Sequence, residues 1–320
     1  MSAIRRPGRI NSSTTLIDIG MYGVAGAMAV YLIDGRKRCL IDGGTRTEAK
    51  GLVRELRKMG AFPPDMIIVT HSHYDHAQGI PVLLREAAKF GKSIEVLASE
   101  KAIPLLQDQS WNRVFGPGPY EGIRDVTPLK ENDVVDLGDI TLRIHEVPGH
   151  SDDQIAIMDE NSRNIFVGDA IGDKIADGTF LPPFYPPSWN PDRFRASLER
   201  LKCLDYATVS LAHFGYIYGE ESKNLIDEAH TTYETWWRLF DKYADKVDDT
   251  CFMREAVLAE IRPSIPEVKI KSPKLKVSFG LMSAWRRVTG KPYLPVGVLL
   301  LGGVLKNLAV AYKMFREQRK

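Results

Sequence analysis

Three histidines and one aspartate crowd into six positions of this chain: His71, His73, Asp75 and His76, within Val69-Thr70-His71-Ser72-His73-Tyr74-Asp75-His76-Ala77-Gln78-Gly79. Imidazole is the commonest protein ligand for borderline metals, and carboxylates complete such sites, so the cluster points to metal chemistry. An isolated histidine is ordinarily a solvated or hydrogen-bonded side chain. Here three of the chain's seven histidines share one loop. His71 and His73 can point one way while Asp75 and His76 point another, so one segment can serve two neighbouring metals. Three more residues extend the set: His150 in Pro148-Gly149-His150-Ser151, Asp169 in Gly168-Asp169-Ala170, and His213 directly after Leu211-Ala212. Each has an ordinary alternative, as a helix cap, a turn residue or a core histidine. Together the seven form a candidate dinuclear metal site.

The elements that must position them are short apolar strands. Met66-Ile67-Ile68-Val69 reads as a buried strand feeding the loop, and helical spacing over 79–89 closes it. Residues 13–43 read as all-β, with strands near 14–17, 29–33 and 38–42; Asp34-Gly35 is a turn, and Asp42-Gly43-Gly44 suggests a close backbone approach. A helix is expected over 47–59, a strand over 94–98, and a Ser99-capped helix to residue 107. Residues 108–119 read as an irregular aromatic loop. Strands over 140–144, 155–158, 164–167 and 208–212 deliver His150, Asp169 and His213 at their ends. Asn190-Pro191 opens a helix to Leu204 with Phe194, Leu198 and Leu201 as its buried stripe. Beyond residue 218 the pattern turns helical: 220–243, 249–261, 278–288 and 297–319, with a Pro- and Lys-containing connector over 263–273. The expected organisation is therefore a catalytic domain over 1–218 and a helical extension over 219–320.

A charge of +2 over 320 residues gives no whole-molecule reason to expect nucleic-acid binding. The N-terminus lacks an apolar run behind its charges, so no signal peptide is expected. Three widely spaced cysteines, Cys39, Cys203 and Cys251, read as core thiols in a reducing, cytoplasmic setting. The apolar run over 294–305 falls short of the roughly 20 residues that a membrane span needs. Its basic end (Lys313, Arg316, Arg319, Lys320) leaves two readings open: a helix packed on the extension or across a homodimer, or peripheral contact with an anionic membrane surface.

With these residues in order, the chain resembles metallo-β-lactamase-fold hydrolases over roughly 12–218. A strand ends in Asp42, the HxHxDH pattern follows, then Gly149-His150-Ser151, Gly168-Asp169 and His213. The resemblance implies an α/β architecture, an αββα sandwich with metals at one edge. It implies that His71, His73 and His150 bind one metal, that Asp75, His76 and His213 bind the other, that Asp169 bridges them, and that Asp42 supports the site from behind. Within that superfamily, Val96-Leu97-Ala98-Ser99-Glu100-Lys101, Gly149-His150-Ser151-Asp152-Asp153 and Gly168-Asp169-Ala170-Ile171-Gly172 are similar to the 2-aminobenzoylacetyl-CoA thioesterases of alkylquinolone biosynthesis.

Two divalent ions about 3.5–4 Å apart can share a hydroxide that attacks an ester-type bond. Asp75 can orient it and pass its proton to the leaving group. Zinc, iron or manganese would suit the ligands. The expected activity is hydrolysis of a small acyl or ester substrate, a thioester or lactone first, a phosphodiester as the alternative. A weakly active module working through protein contacts is the reading from another class. Trp111, Phe184, Tyr185 and Tyr216 are the expected substrate-lining residues. A nucleic-acid track would interleave Lys and Arg with such aromatics, and 180–190 contains neither.

Overall fold

The computed structural model describes residues 3–116, 118–174, 180–261, 269–270 and 296–319. Side chains are described for all of these except 269–270 and 296–301. The expected helix over 278–288, most of the connector over 263–273 and the start of the 294–305 run lie outside the described residues.

Two seven-stranded sheets face each other. In the first, the order is Gly8–Arg9, Thr14–Asp18, Ala29–Asp34, Arg38–Ile41, Met66–Val69, Glu95–Ser99 and Thr127–Leu129. In the second it is Ala3–Ile4, Gly215–Ile217, Thr208–Leu211, Asn164–Gly168, Ile155–Asp159, Thr141–Glu146 and Val134–Asp136. Between them lies an apolar layer containing Leu16, Ile33, Ile68, Ile144, Ile157 and Phe166. Helices Ala49–Lys58 and Ile80–Ala88 cover the outer face of the first sheet through Leu52, Leu56, Ile80 and Leu83. Helices Pro191–Lys202, Glu220–Lys242, Thr250–Glu260 and Val296–Gln318 cover the second. The four layers are those of an αββα sandwich, because each sheet carries apolar residues on both faces and must be covered on both.

Strand direction fixes where the site can form. Arg38–Ile41, Met66–Val69 and Glu95–Ser99 run parallel, so their C-terminal ends share one edge. Asn164–Gly168 and Thr208–Leu211 are also parallel, and Thr141–Glu146 is related to them through the antiparallel Ile155–Asp159. The sheets are tied at that edge, where Ile155 N donates to Thr70 O at 2.9 Å and Ala29 N donates to Ala212 O at 2.8 Å.

Several expectations change. Residues 109–115 form a 3-10 run rather than an irregular loop, because the Asp108 carboxylate accepts from Ser110 N and starts a turn. A short strand at Gly215–Ile217 follows His213; three residues are too few to carry a readable period. Cys39 is a core thiol, but Cys203 and Cys251 are exposed, one at the C-cap of Pro191–Lys202 and the other in the first turn of Thr250–Glu260. The final helix buries Leu305, Leu308, Tyr312 and Phe315 against the cluster that holds Trp236 and Trp237. Its basic end is engaged within the chain: Lys313 pairs with Asp248 at 2.9 Å, Arg316 with Asp241 at 3.3 Å, and Arg319 with Asp192. No helix among the described residues is long and apolar enough to cross a membrane.

The close approach suggested by Asp42-Gly43-Gly44 is to the helix that follows the histidine loop. Gly43 N donates to His76 O at 2.8 Å and Gly79 N to Gly44 O at 2.7 Å. A Cβ on Gly79 would stand 2.0 Å from the Gly43 carbonyl oxygen, a backbone atom that cannot yield cheaply. Gly79→Ala is expected to lower stability by about 3 kcal/mol through overpacking. Gly51→Ala, inside a helix where the nearest atom is 3.7 Å away, should raise it by about 0.5–1 kcal/mol. Denaturant titration of the two variants checks both signs.

Candidate metal centre

The strand–loop–helix over Met66–Ala88 places four donors at the shared edge, and three loops of the second sheet bring the others to meet them. His71, His73 and His150 offer donor atoms within 4.8 Å of one another, and so do Asp75, His76 and His213. His71, His76 and Asp169 form a third such group that joins the two triads. The Asp169 Oδ2 atom stands 3.3 Å from His76 Nε2, 3.6 Å from His150 Nε2, 3.7 Å from His213 Nε2 and 3.9 Å from His71 Nε2. One carboxylate therefore faces nitrogens of both groups. Apart from the half-buried Asp75, these residues are buried.

The rings are oriented from behind. His150 Nδ1 donates to Pro183 O at 2.7 Å, and His213 Nδ1 donates to Ala27 O at 2.6 Å. A carbonyl can only accept, so each ring keeps a proton on Nδ1 and turns Nε2 inward. His76 Nδ1 donates to Asp42 Oδ2 at 2.8 Å, with the same result. His73 turns the opposite nitrogen inward, its Nδ1 lying 2.9 Å from His150 Nε2. His150 Nε2 is also 3.2 Å from His71 Nε2. Nitrogens this close need either a proton or a cation between them.

Buried polar atoms nearly always have partners. Asp169 Oδ1 is buried here without a hydrogen-bond partner among the described residues. The donor set, the inward-facing nitrogens and this unpartnered oxygen fit divalent cations. Imidazole with carboxylate suits several first-row metals, and nothing in the donors selects one.

Asp42 is the hub of this support. It adopts a left-handed backbone at φ 64° at the end of its strand. Its Oδ1 accepts from Thr70 N at 2.8 Å, and its Oδ2 from the Thr70 hydroxyl at 3.0 Å. Thr70 and Asp153 were not anticipated. Asp153 Oδ2 accepts from Ser72 N at 2.8 Å and pins the histidine loop to the second sheet; burial holds its carboxyl above the ordinary range.

The electrostatics divide the two groups. Burial and neighbouring imidazoles keep His71 and His73 well below the ordinary histidine pKa, and burial lowers His150. Burial also opposes charge on His76, but Asp169 and Asp42 outweigh it and hold His76 well above. His213 is likewise buried, yet Asp169, Asp173 and Asp75 push it up to about 10. Burial would raise Asp75, but its hydrogen bond to His213 and the nearby His76 bring it below the usual carboxylate value.

The four expected lining residues divide evenly. The Trp111 ring lies 5.7 Å from His73, and Tyr185 is 5.9 Å from His150. Phe115, at 5.1 Å from His73 and 5.5 Å from Tyr74, joins this wall. Phe184 does not: it is wholly buried against Trp237 at 5.5 Å and Phe240 at 5.1 Å, because the helical extension offers it an aromatic socket. Tyr216 does not either; it sits on Gly215–Ile217 in the apolar layer between the sheets.

Residues 23–213, three-fifths of the chain, match the metallo-beta-lactamase superfamily. The chain belongs to that superfamily. Among solved structures it is similar to a metallo-beta-lactamase superfamily protein of Sulfolobus tokodaii (TM-score 0.56, 21% identity, 70% of this chain and 86% of that one). It is also similar to a B3 metallo-beta-lactamase with an active-site glutamic acid (TM-score 0.55, 22% identity, 72% and 90%). These likenesses establish the fold. Among curated proteins, the acyl-coenzyme A thioesterase MBLAC2 of Gallus gallus is 29% identical over 189 residues, covering 54% of this chain and 65% of that protein. The hydroxyacylglutathione hydrolase of Rhodopseudomonas palustris is 32% identical over 157 residues, covering 49% and 50%. The chain thus spans half to two-thirds of the length of these two relatives.

Metal uptake should show the electrostatic division. At pH 7 a chelator-stripped sample is expected to carry protons on His76 and His213 that a metal must displace, whereas His71, His73 and His150 are already neutral. Affinity of the Asp75–His76–His213 group should therefore rise with pH between 6 and 8, while the other group stays nearly flat. Calorimetric metal titrations in two buffers of different ionisation enthalpy check this through the protons released.

Proposed function

We propose that this member of the superfamily is a binuclear metal-dependent hydrolase of acyl thioesters, with coenzyme A thioesters as its substrate class. The observation that carries the reading is the aromatic wall of Trp111, Phe115, Tyr74 and Tyr185 set directly against His73 and His150. Such a wall suits an apolar or aromatic acyl group; a bare polyanion would call for guanidinium or ammonium groups there. The relatives named acyl-coenzyme A thioesterase and hydroxyacylglutathione hydrolase support the same bond type.

A second feature suits the carrier. Outside the helix that follows the histidine loop lies a cavity of about 500 Å³ lined by Arg46, Lys50, Arg85 and Lys89, together with Thr47, Val82 and Glu86. Arg46 and Arg85 share Glu121, and the Glu121 backbone is held by the Gln78 side chain, two residues beyond His76. Four cations against two carboxylates leave a positive balance fit for the phosphates of a nucleotide carrier.

In this reading two divalent ions, one in each group, would polarise the acyl carbonyl and acidify a water. Asp75, on the open side beside His213, orients that water and takes its proton. The water oxygen bonds to the carbonyl carbon, the carbon–sulfur bond breaks, and the proton ends on the thiol. A thiolate is a good leaving group, with a pKa near 8.5, so no strong general acid is required. The aromatic wall holds the acyl chain and keeps bulk water from the carbonyl.

A hydrolysis panel of a coenzyme A thioester, a lactone and a bis-aryl phosphodiester tests the reading. The thioester should be preferred, and Asp75→Asn should lower its kcat/KM by about 100-fold or more, as for loss of a proton-transfer group. Preference for the phosphodiester overturns the proposal, and no turnover of any substrate favours a binding role. Lys50→Glu should raise KM for the coenzyme A thioester several-fold and leave a simple S-aryl thioester unaffected; equal effects on both would dissociate the cavity from the carrier.

A further inference from the structure

The carboxylates at this edge do not end with Asp75 and Asp169. Asp173 lies one tight turn beyond Asp169, in which Gly172 N donates to Asp169 O at 3.0 Å. Its backbone is fixed by an exchange with Leu181: Asp173 N donates to Leu181 O at 3.3 Å, and Leu181 N to Asp173 O at 2.7 Å. The residue is 8% exposed, and its Oδ1 has no hydrogen-bond partner among the described residues. Asp173, Asp169 and His213 offer donor atoms within 4.8 Å of one another. The neighbouring Lys174 does not answer this charge, since its ammonium is held by both Glu228 oxygens at 2.6 and 2.5 Å. Nor does Asp173 steady the His213 ring from behind, a task already done by the Ala27 carbonyl. A buried carboxylate oxygen with no donor is costly while ionised, and burial pushes the Asp173 carboxyl up to about 7; a cation as partner would hold it ionised.

We propose that Asp173 is a ligand of the metal held by Asp75, His76 and His213, making that position rich in oxygen and selective for a hard cation such as manganese(II) over zinc. The inference rests on the two-metal reading above. The contrast is internal to the molecule: His71, His73 and His150 present three imidazoles, whereas His213 belongs to two groups, one with Asp75 and His76 and the other with the carboxylates of Asp169 and Asp173. Nitrogen donors suit zinc and iron, and carboxylates suit manganese.

The full chain, stripped with chelator and reloaded from equimolar zinc and manganese, gives the test through elemental analysis and manganese(II) electron paramagnetic resonance. Wild type is expected to retain comparable amounts of the two metals. Asp173→Asn, nearly isosteric, should weaken manganese binding by about 10- to 100-fold, the range for lost support at a metal site, and leave zinc at the three-histidine group unchanged. An Asn variant that binds manganese as tightly and selectively as wild type overturns the role of Asp173, as does a wild type that takes zinc at both positions. A wild type that binds neither metal overturns the two-metal reading itself and this inference with it. If the Asn variant does not fold, Asp173→Glu carries the test, because a longer arm must alter the manganese spectrum of a true ligand; an unaltered spectrum and affinity overturn the proposal.

Discussion

One buried carboxylate holds this edge of the sandwich together. Asp42 accepts from the Thr70 backbone, the Thr70 hydroxyl and His76 Nδ1, so a single residue sets the exit of one strand, the start of the histidine loop and the tautomer of a ring. Its left-handed backbone turns the chain so that Gly43 can receive the loop's return through His76 O. A charged acceptor inside an apolar sandwich is stable only when fully used. Asp42 is fully used, and the geometry of the donors around Asp169 follows from it.

The inward convergence of so many lone pairs is a second constraint, and it explains the division of labour between backbone and side chains. Carbonyls of Pro183 and Ala27, which can only accept, fix two rings; a carboxylate fixes a third. Each choice fixes a proton on the outer nitrogen and aims the other nitrogen at the centre. The parallel strand ends supply the rough placement, and these outer partners supply the aim, the usual relation between a metal site and its surroundings.

Much of this was legible in the chain. The His71–His76 cluster is local in sequence and follows an unmistakable apolar strand, and His150, Asp169 and His213 each follow another, so strand periodicity places every donor past a strand end, and the parallel register brings those ends to one edge. What was not legible depends on direction within irregular backbone. Phe184 and Tyr185 are adjacent, yet one enters the aromatic socket of Trp237 and Phe240 while the other faces His150. No period governs such a segment, and a residue's neighbour says nothing of its side. Asp173 escaped notice for a similar reason: an acidic residue one turn past another reads as a turn residue until a buried, unpartnered oxygen is seen.

The proline-rich segment over 180–189 links the helical extension to the centre. Phe180, Phe184 and Trp189 are buried in the cluster that holds Tyr233, Trp236 and Trp237 of Glu220–Lys242. Between them, Pro183 gives its carbonyl to His150, Leu181 exchanges hydrogen bonds with Asp173, and Tyr185 takes its place in the aromatic wall. Core contacts with the extension therefore hold the backbone atoms that aim His150 and fix Asp173. Proline restricts the segment's unfolded states and lessens the entropy lost in ordering it. The described helices beyond residue 219 thus bear on the geometry of the centre through these backbone atoms. A loss of packing at Trp237 would be felt first at His150, whose proton position depends on a carbonyl one residue from Phe184, while the HxHxDH loop, anchored independently by Asp42 and Asp153, would be affected later or not at all.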